Sequence, residues 1–378
     1  MKTQQVATRR SSERGVTALF IVIFAALLLS IITVSFTAMM VREQQRSTDD
    51  EQSQSAYDSA LAGVEDGKRV MAACRDSNNS ASPACQAIER ERCTTVTDAG
   101  IQTGELNGEV LIQSSIGGDG RQLNQAYTCV IISSDTPSYL AQLANDESII
   151  IPLKSRENFS QVTISWYTDK NALAPHPVDE APHLPERGAW QPGGRPALLR
   201  AQLMQYSEGD IYPERFDDVT YAHTMYLYPQ TTGGGLSFGI DGRRTGDLMP
   251  ESALCRDGYF PLDGYACQVT LALPGALADR TGYLRLTSLY AGTDIKVELK
   301  DGANQIVNFH DVQPKIDVTG RANDLFRRVE ARVETTSPSF PYPRATVDIT
   351  NNFCKAFAVA NTSASYNAGG CNPTQTGN

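Results

Sequence analysis

From residue 16 to residue 41 the chain reads VTALFIVIFAALLLSIITVSFTAMMV, without a single charged side chain. A helix of about 20 apolar residues crosses a bilayer core, so this stretch is long enough to span one. The apolar run of a secretory signal peptide is shorter, about 7–15 residues, and closes on a small-residue cleavage site. No such site precedes the polar turn at Arg42. Helical character continues past the apolar run. Residues 42–72 contain no proline, and Ala56, Ala60, Val64 and Met71 follow one another at spacings of four, four and seven. That spacing draws one narrow apolar stripe on a helix otherwise made of Gln, Glu, Asp and Ser. Gly63 and Gly67 are poor helix formers and mark close packing or a bend. One helix over residues 16–72 would be about 85 Å long, with one half suited to lipid and the other to a protein surface.

Beyond residue 72 the period changes from helical to extended. Residues 73–104 are polar, hold three cysteines, and predict a stapled region with one short helix near 84–92. Residues 109–114 (EVLIQS) and 126–133 (AYTCVIIS) flank a glycine-rich turn at 117–120 and predict a hairpin. Residues 161–168 (QVTISWYT) alternate in the manner of a half-buried strand. The segment 171–196 carries Pro175, Pro177, Pro182, Pro185, Pro192 and Pro196, a density that excludes helix or central strand and predicts a linker or long surface loop. Further strands are expected at 198–206, 220–228, 267–273, 282–290, 294–299, 315–318 and 326–334. In the last, Val329, Ala331 and Val333 alternate with charges. Turns are expected at Asp241-Gly242, Asp263-Gly264 and Asp301-Gly302. Many short strands between turns predict an α+β chain: a long N-terminal transmembrane helix, then an antiparallel, β-sandwich-like ectodomain over 105–350 and a tail over 351–378. No repeat of fixed period is visible.

Composition narrows the function. The formal net charge of −10 argues against a nucleic-acid partner, which calls for a basic footprint. Lys2, Arg9, Arg10 and Arg14 precede the span with Glu13 as the only acid, which places the N-terminus in the cytoplasm and the remainder outside. All eight cysteines, Cys74, Cys85, Cys93, Cys129, Cys255, Cys267, Cys354 and Cys371, lie beyond the span. An even number on the exported side predicts disulfides. No CxxC spacing suggests zinc. Eight cysteines allow about 105 pairings; pairing in sequence order would give Cys74–Cys85, Cys93–Cys129, Cys255–Cys267 and Cys354–Cys371.

The N-terminus resembles that of type IV pilins. A basic leader ends in Arg14-Gly15 and the apolar segment Val16-Thr17-Ala18-Leu19-Phe20 follows directly, as in a class III signal peptide. The polar stretch REQQRSTDDEQSQSAYDSALAGVEDGKR is similar to the N-terminal region of PilX-type minor pilins. The resemblance implies processing residues Gly15 and Val16, with cleavage between them by a prepilin peptidase and methylation of Val16. It also implies assembly with other pilin subunits through the helix, leaving the membrane for a filament. Major pilins begin the mature chain with Phe and carry Glu at its fifth position; here those places hold Val16 and Phe20. A minor, tip or initiating subunit fits that departure better than a major one. The C-terminal pair Cys354 and Cys371 resembles the disulfide that closes many pilin C-terminal regions.

No catalytic residue, metal or cofactor is expected. The histidines, His176, His183, His223 and His310, form no HExxH motif, and no Gly-x-Ser-x-Gly elbow is present. Gly233-Gly234-Gly235 lacks the Lys-Ser/Thr of a phosphate loop. Asp257 and Asp263, between Cys255 and Cys267, suit a turn better than a calcium loop. Asn78, Asn158 and Asn361 open glycosylation sequons. Tyr206, Tyr212, Tyr221, Tyr226 and Tyr228 offer a sugar or protein contact surface or serve packing. The expectation is a non-enzymatic minor pilin-like subunit, used in adhesion to a host or neighbouring cell surface or in pilus assembly. The alternatives are a pseudopilin of a type II-like secretion system and a membrane-anchored extracellular binding protein or enzyme.

Overall fold

A computed structural model of the chain describes residues 13–102, 105–106, 109–112, 124–168, 171, 190, 194–207, 222–238, 250–256, 258–260, 264–274 and 280–335. Among them are three helices, α1 (Glu13–Ser77), α2 (Pro83–Glu89) and α3 (Thr95–Asp98). The strands are β1 (Glu105–Leu106), β2 (Glu109–Leu111), β3 (Ala126–Thr136), β4 (Tyr139–Leu143), β5 (Ser148–Leu153), β6 (Gln161–Thr168), β7 (Leu198–Ser207) and β8 (Ala222–Gln230). They continue with β9 (Leu236–Ser237), β10 (Pro250–Cys255), β11 (Tyr265–Ala272), β12 (Arg280–Leu289), β13 (Thr293–Lys300), β14 (Ile306–Val307), β15 (Phe309–Ala322) and β16 (Leu325–Arg332).

The strands divide into two sheets, each with its own core. The smaller has the order β1-β2-β3-β15-β16, every pair antiparallel. Its inward side chains, Tyr127, Val130, Ile132, Ile316 and Val318, join Ala60, Val64 and Val70 of α1 and Ile88 of α2 in one cluster. The larger sheet runs β14-β13-β6-β11-β10-β8-β7-β12-β5, with β4 also on β13 and β9 on β11. Ile164, Leu227, Leu271, Leu286 and Val297 lie in its main core.

Topology forces the larger sheet to roll up. β4 borders β13 at one end and β5 borders β12 at the other, so flat strands would separate them by about 38 Å at 4.8 Å per strand. Yet only residues 144–147 join β4 to β5, a turn closed by Glu147 N–H to Ala144 O at 3.1 Å. Such a turn cannot reach across the flat sheet; the sheet must curl until its two ends meet around the core. The larger sheet is also an insertion: all of it lies in sequence between β3 and β15, two neighbours in the small sheet. The passage from β3 to β4 takes residues 137–138 and the return from β14 to β15 takes Asn308 alone.

Several expectations change against this architecture. The large sheet is mixed, not purely antiparallel, because β10 runs parallel to β8 and β9 parallel to β11. Strand 161–168 is covered on both faces rather than half-buried: Val162 to Tyr167 are all buried, the polar Thr163 and Ser165 included. The strand expected at 315–318 belongs to the 14-residue β15, which is interrupted by register shifts between His310 and Lys315 and between Asp317 and Thr319. Around the short helix expected near 84–92 there are two, α2 and α3; Ser82 caps α2 by accepting from Cys85 N–H at 3.3 Å, with Pro83 in its first turn. Residues 326–334 hold a strand, β16, as expected. The leader residues 1–12, most of the proline-rich segment, the turns at 117–120 and Asp241-Gly242, and the tail 351–378 lie outside the described residues.

Candidate functional site

Helix α1 is 65 residues long, about 97 Å at the ordinary rise. It is one unbroken helix set in two environments. In the proximal part, all sixteen large apolar side chains from Leu19 to Val41 are between 47% and 69% exposed. Full burial of one such side chain is worth about 1.5–3 kcal/mol, so leaving sixteen in water is strongly unfavourable. Three hydroxyls within this stretch turn inward on their own helix: Ser30 donates to Leu27 O at 2.8 Å, Thr33 to Leu29 O at 2.5 Å and Thr37 to Thr33 O at 2.8 Å. A helix that satisfies its polar groups internally is what an apolar medium demands. α1 is long and apolar enough to cross a membrane.

The distal part is docked on the small sheet by its smallest residues. Ala56, Ala60 and Val70 are fully buried and Val64 nearly so, while Tyr57 and Leu61 on the far side are exposed. The approach is close enough to require glycine on both surfaces. A Cβ on Gly320 of β15 would stand 2.1 Å from Ala56 O and 2.3 Å from Ala60 N. A Cβ on Gly63 would stand 2.6 Å from Val318 Cγ1, and one on Gly67 2.9 Å from Ile316 Cγ2. Gly63 and Gly67 therefore serve close packing.

One carboxylate organises the middle of this contact. Asp66, 8% exposed at its side chain, accepts from Tyr127 OH at 2.5 Å, from Gln102 Nε2 at 3.0 Å and from Arg69 Nη1 at 2.8 Å. Burial and the neighbouring carboxylate push the Tyr127 hydroxyl far above its ordinary pKa, so it remains a donor at all physiological pH. At the rim, Arg327 of β16 donates to Ser53 Oγ at 2.6–2.8 Å, and Gln125 Nε2 donates to Ser55 Oγ. On the opposite face of the small sheet Arg328 grips Asp317, Nε to Oδ1 at 2.7 Å with Nη2 on Oδ2. The hydrogen bonds from Arg328 hold the Asp317 carboxyl below its usual range, against the opposing effect of burial. Arg321 likewise clasps Glu109.

Three of the local cysteine pairs are disulfides. Cys74–Cys85 ties the last turns of α1 to α2, and Cys93–Cys129 ties the segment before α3 to β3. Cys255–Cys267 staples β10 to β11 where the two residues face each other in register. Cys354 and Cys371 lie outside the described residues. Gly15 and Val16 fall in the first turns of α1, whose backbone is helical from Glu13.

Among the described residues, those weighed for chemistry do not converge. His223 is buried in the large sheet, and His310 lies far along the chain at the junction of the sheets, hydrogen-bonded to Asp135 at 2.7 Å. Among the described residues no group of three or more His, Cys, Asp or Glu is placed to hold a metal. His176, His183, Asp257 and Asp263 lie outside them. A cleft of about 450 Å³ opens beside the end of α1, floored by Met71, Ile88, Ile132 and Val333. Its carboxylates are engaged, Asp311 with Lys154 at 3.7 Å and Glu334 with Tyr139 OH at 2.8 Å. Tyr226 and Tyr228 pack partly against the buried cluster of Trp190, Leu198, Leu289 and Tyr290. Trp190 anchors the end of the proline-rich segment through Nε1 to Pro196 O at 2.9 Å. Asp66 and Gly320 escaped the sequence reading; the signal available for Asp66 was an acid near the apolar stripe, and for Gly320 there was none without the helix in place.

No family model, curated protein or solved structure matches this chain.

Proposed function

We propose that the protein is a minor subunit of the type IV pilin-like kind. In this reading it is cut after Gly15, held in the membrane by residues 16–41 with its N-terminus inside, and later packed by the same surface among other pilin subunits in a filament. The observation that carries the reading is the division of α1. One continuous helix keeps an apolar half without a partner in its own fold and locks the other half onto an antiparallel sheet. A plain membrane anchor has no need of a rigid 97 Å rod fixed to the domain by interlocked glycines. A subunit extracted from lipid into a fibre does, because the rod must carry the domain at a fixed angle.

The small sheet with α1 is then the assembly module, and the rolled large sheet is a sandwich-like domain displayed outward for adhesion to a host or neighbouring surface. The disulfides stiffen both modules in the oxidising space outside the membrane.

Mass spectrometry of the N-terminus, on protein from membranes and from sheared fibres, tests the reading. The expected mature chain begins at methylated Val16. A chain that keeps residues 1–15 in both fractions would leave an anchored ectodomain and remove the filament role.

A further inference from the structure

The outward face of the large sheet carries a cation, Arg200, that is paired with no carboxylate among the described residues. Arg200 of β7 lies opposite Thr287 of β12 on one side and Tyr226 of β8 on the other. Its guanidinium makes one hydrogen bond, Nη2 to Thr287 Oγ1 at 3.2 Å, and its Nε is shut from solvent without an acceptor. Among the described residues no carboxylate pairs with it. That is unusual twice over. Buried guanidinium donors are normally satisfied, and a chain of net charge −10 has carboxylates in excess.

Nε itself is closed to a ligand from solvent, so the partly exposed remainder of the guanidinium and its neighbours specify what would bind there. Arg285 stands diagonally across β12, at Cα separations of about 7–8 Å for such pairs, and adds a second positive charge on the same face. Around the two lie groups that both donate and accept. Ser148 and Thr287 share a hydrogen bond at 2.8 Å, Arg285 Nη2 donates to Ser148 Oγ at 3.3 Å, and Gln202 Nε2 donates to Thr224 Oγ1 at 3.3 Å. Arg200, Gln202, Tyr226 and Arg285 each keep part of their surface in solvent. A guanidinium matches a carboxylate with two parallel hydrogen bonds. Hydroxyl and amide side chains match ligand hydroxyls, and a tyrosine ring offers an apolar flank for a sugar ring. Sulfate, which only accepts, would leave the accepting half of this set idle.

We infer that this face binds an acidic saccharide, with the sugar carboxylate on Arg200 and its hydroxyls on Gln202 and Ser148. This goes beyond the filament role, giving the displayed domain a ligand, and it does not depend on cleavage of the leader.

The test is titration of the full chain, in detergent micelles, with a uronic-acid tetrasaccharide, with the same sugar carboxyl-reduced to its neutral form, and with sodium sulfate. The expected result is binding of the acidic sugar, weakened about tenfold or more both by carboxyl reduction and by Arg200→Gln. An unchanged thermal midpoint in Arg200→Gln separates a lost site from a lost fold. Should that variant not fold, the acidic and neutral sugars compared on the wild-type chain decide alone. Equal affinity for the two sugars, unchanged affinity in a folded Arg200→Gln, or no binding at millimolar acidic sugar overturns the inference. So does sulfate binding as tight as the sugar, which would make the face a simple anion site. None of these outcomes touches the filament reading, which stands or falls on the mature N-terminus.

Discussion

The two halves of α1 share one backbone and almost nothing else. In the proximal half, residues 18–41 carry bulk all round the helix and are exposed throughout. In the distal half, bulk is withheld on one side, where Ala56, Ala60, Gly63 and Gly67 let a sheet come within backbone distance. Large residues all round make a surface that many neighbours can cover, lipid or helix, without a fixed register. Small residues on one side make a surface only one partner fits. The contrast teaches where the helix is free to change company and where it is not.

The comparison can be broken most severely at Gly320. A Gly320→Val side chain would start 2.1 Å from the backbone of α1. Overpacking usually costs about 1–3 kcal/mol, and a clash with backbone that cannot rotate away belongs above that range. The expected outcome is a distal helix released from the small sheet, read as new protease cleavage within residues 53–73, while the large sheet keeps its unfolding transition. Resistance equal to wild type would mean that the docking does not depend on close approach.

The opposite half should respond in the opposite way. Leu29→Asp sets a charge in mid-span, a loss of about 2.5–3.5 kcal/mol in insertion. The membrane fraction should fall sharply, while the thermal midpoint of the sheet domains in detergent stays where it was. A lowered midpoint would show that the proximal helix contributes to the fold after all.

The finest test is pH. Arg328 depresses the folded pKa of Asp317, so the pair contributes stability that is complete above the unfolded carboxyl value of about 3.9 and is lost as pH falls below it, through the lower folded value. Arg328→Gln should lower the midpoint slightly at neutral pH and not at all at the acid end of that window, and distal-helix docking should weaken in parallel. Identical pH profiles for variant and wild type would detach this pair from the stability of the sheet on which α1 rests.

The helix was legible because its signals are local. An uncharged run marks the apolar half, and Ala56, Ala60 and Val64 mark the docked face within a few turns. Most strands with clean alternation, such as those around 198–206 and 294–299, were legible for the same reason. β4 and β5 were not, because residues 139–153 join by Ala144-Asn145-Asp146-Glu147, with no glycine or proline in the turn, and Pro152 interrupts the second strand. Nor was the insertion. That β3 and β15 pair across 172 intervening residues, 137–308, is a long-range choice that no short window records. Arg200 was hidden likewise: a lone arginine in a strand reads as a solvated charge until its cross-strand neighbours are known.

The insertion also sets how the molecule carries force. Thr136, at the end of β3, is paired with Phe309, at the start of β15, so the large sheet hangs from two covalent strands leaving the small sheet at the same edge. A tug on the outer domain draws both strands in the same direction. The ladder between them is therefore not peeled apart; the load passes as shear into β2, β16 and the glycine-lined seat of α1, and from there along the rod to whatever grips its apolar end. The same two crossings mark where another fold could replace the large sheet, provided that it also covered Phe309 and Val312, which β15 lends to the large sheet's core.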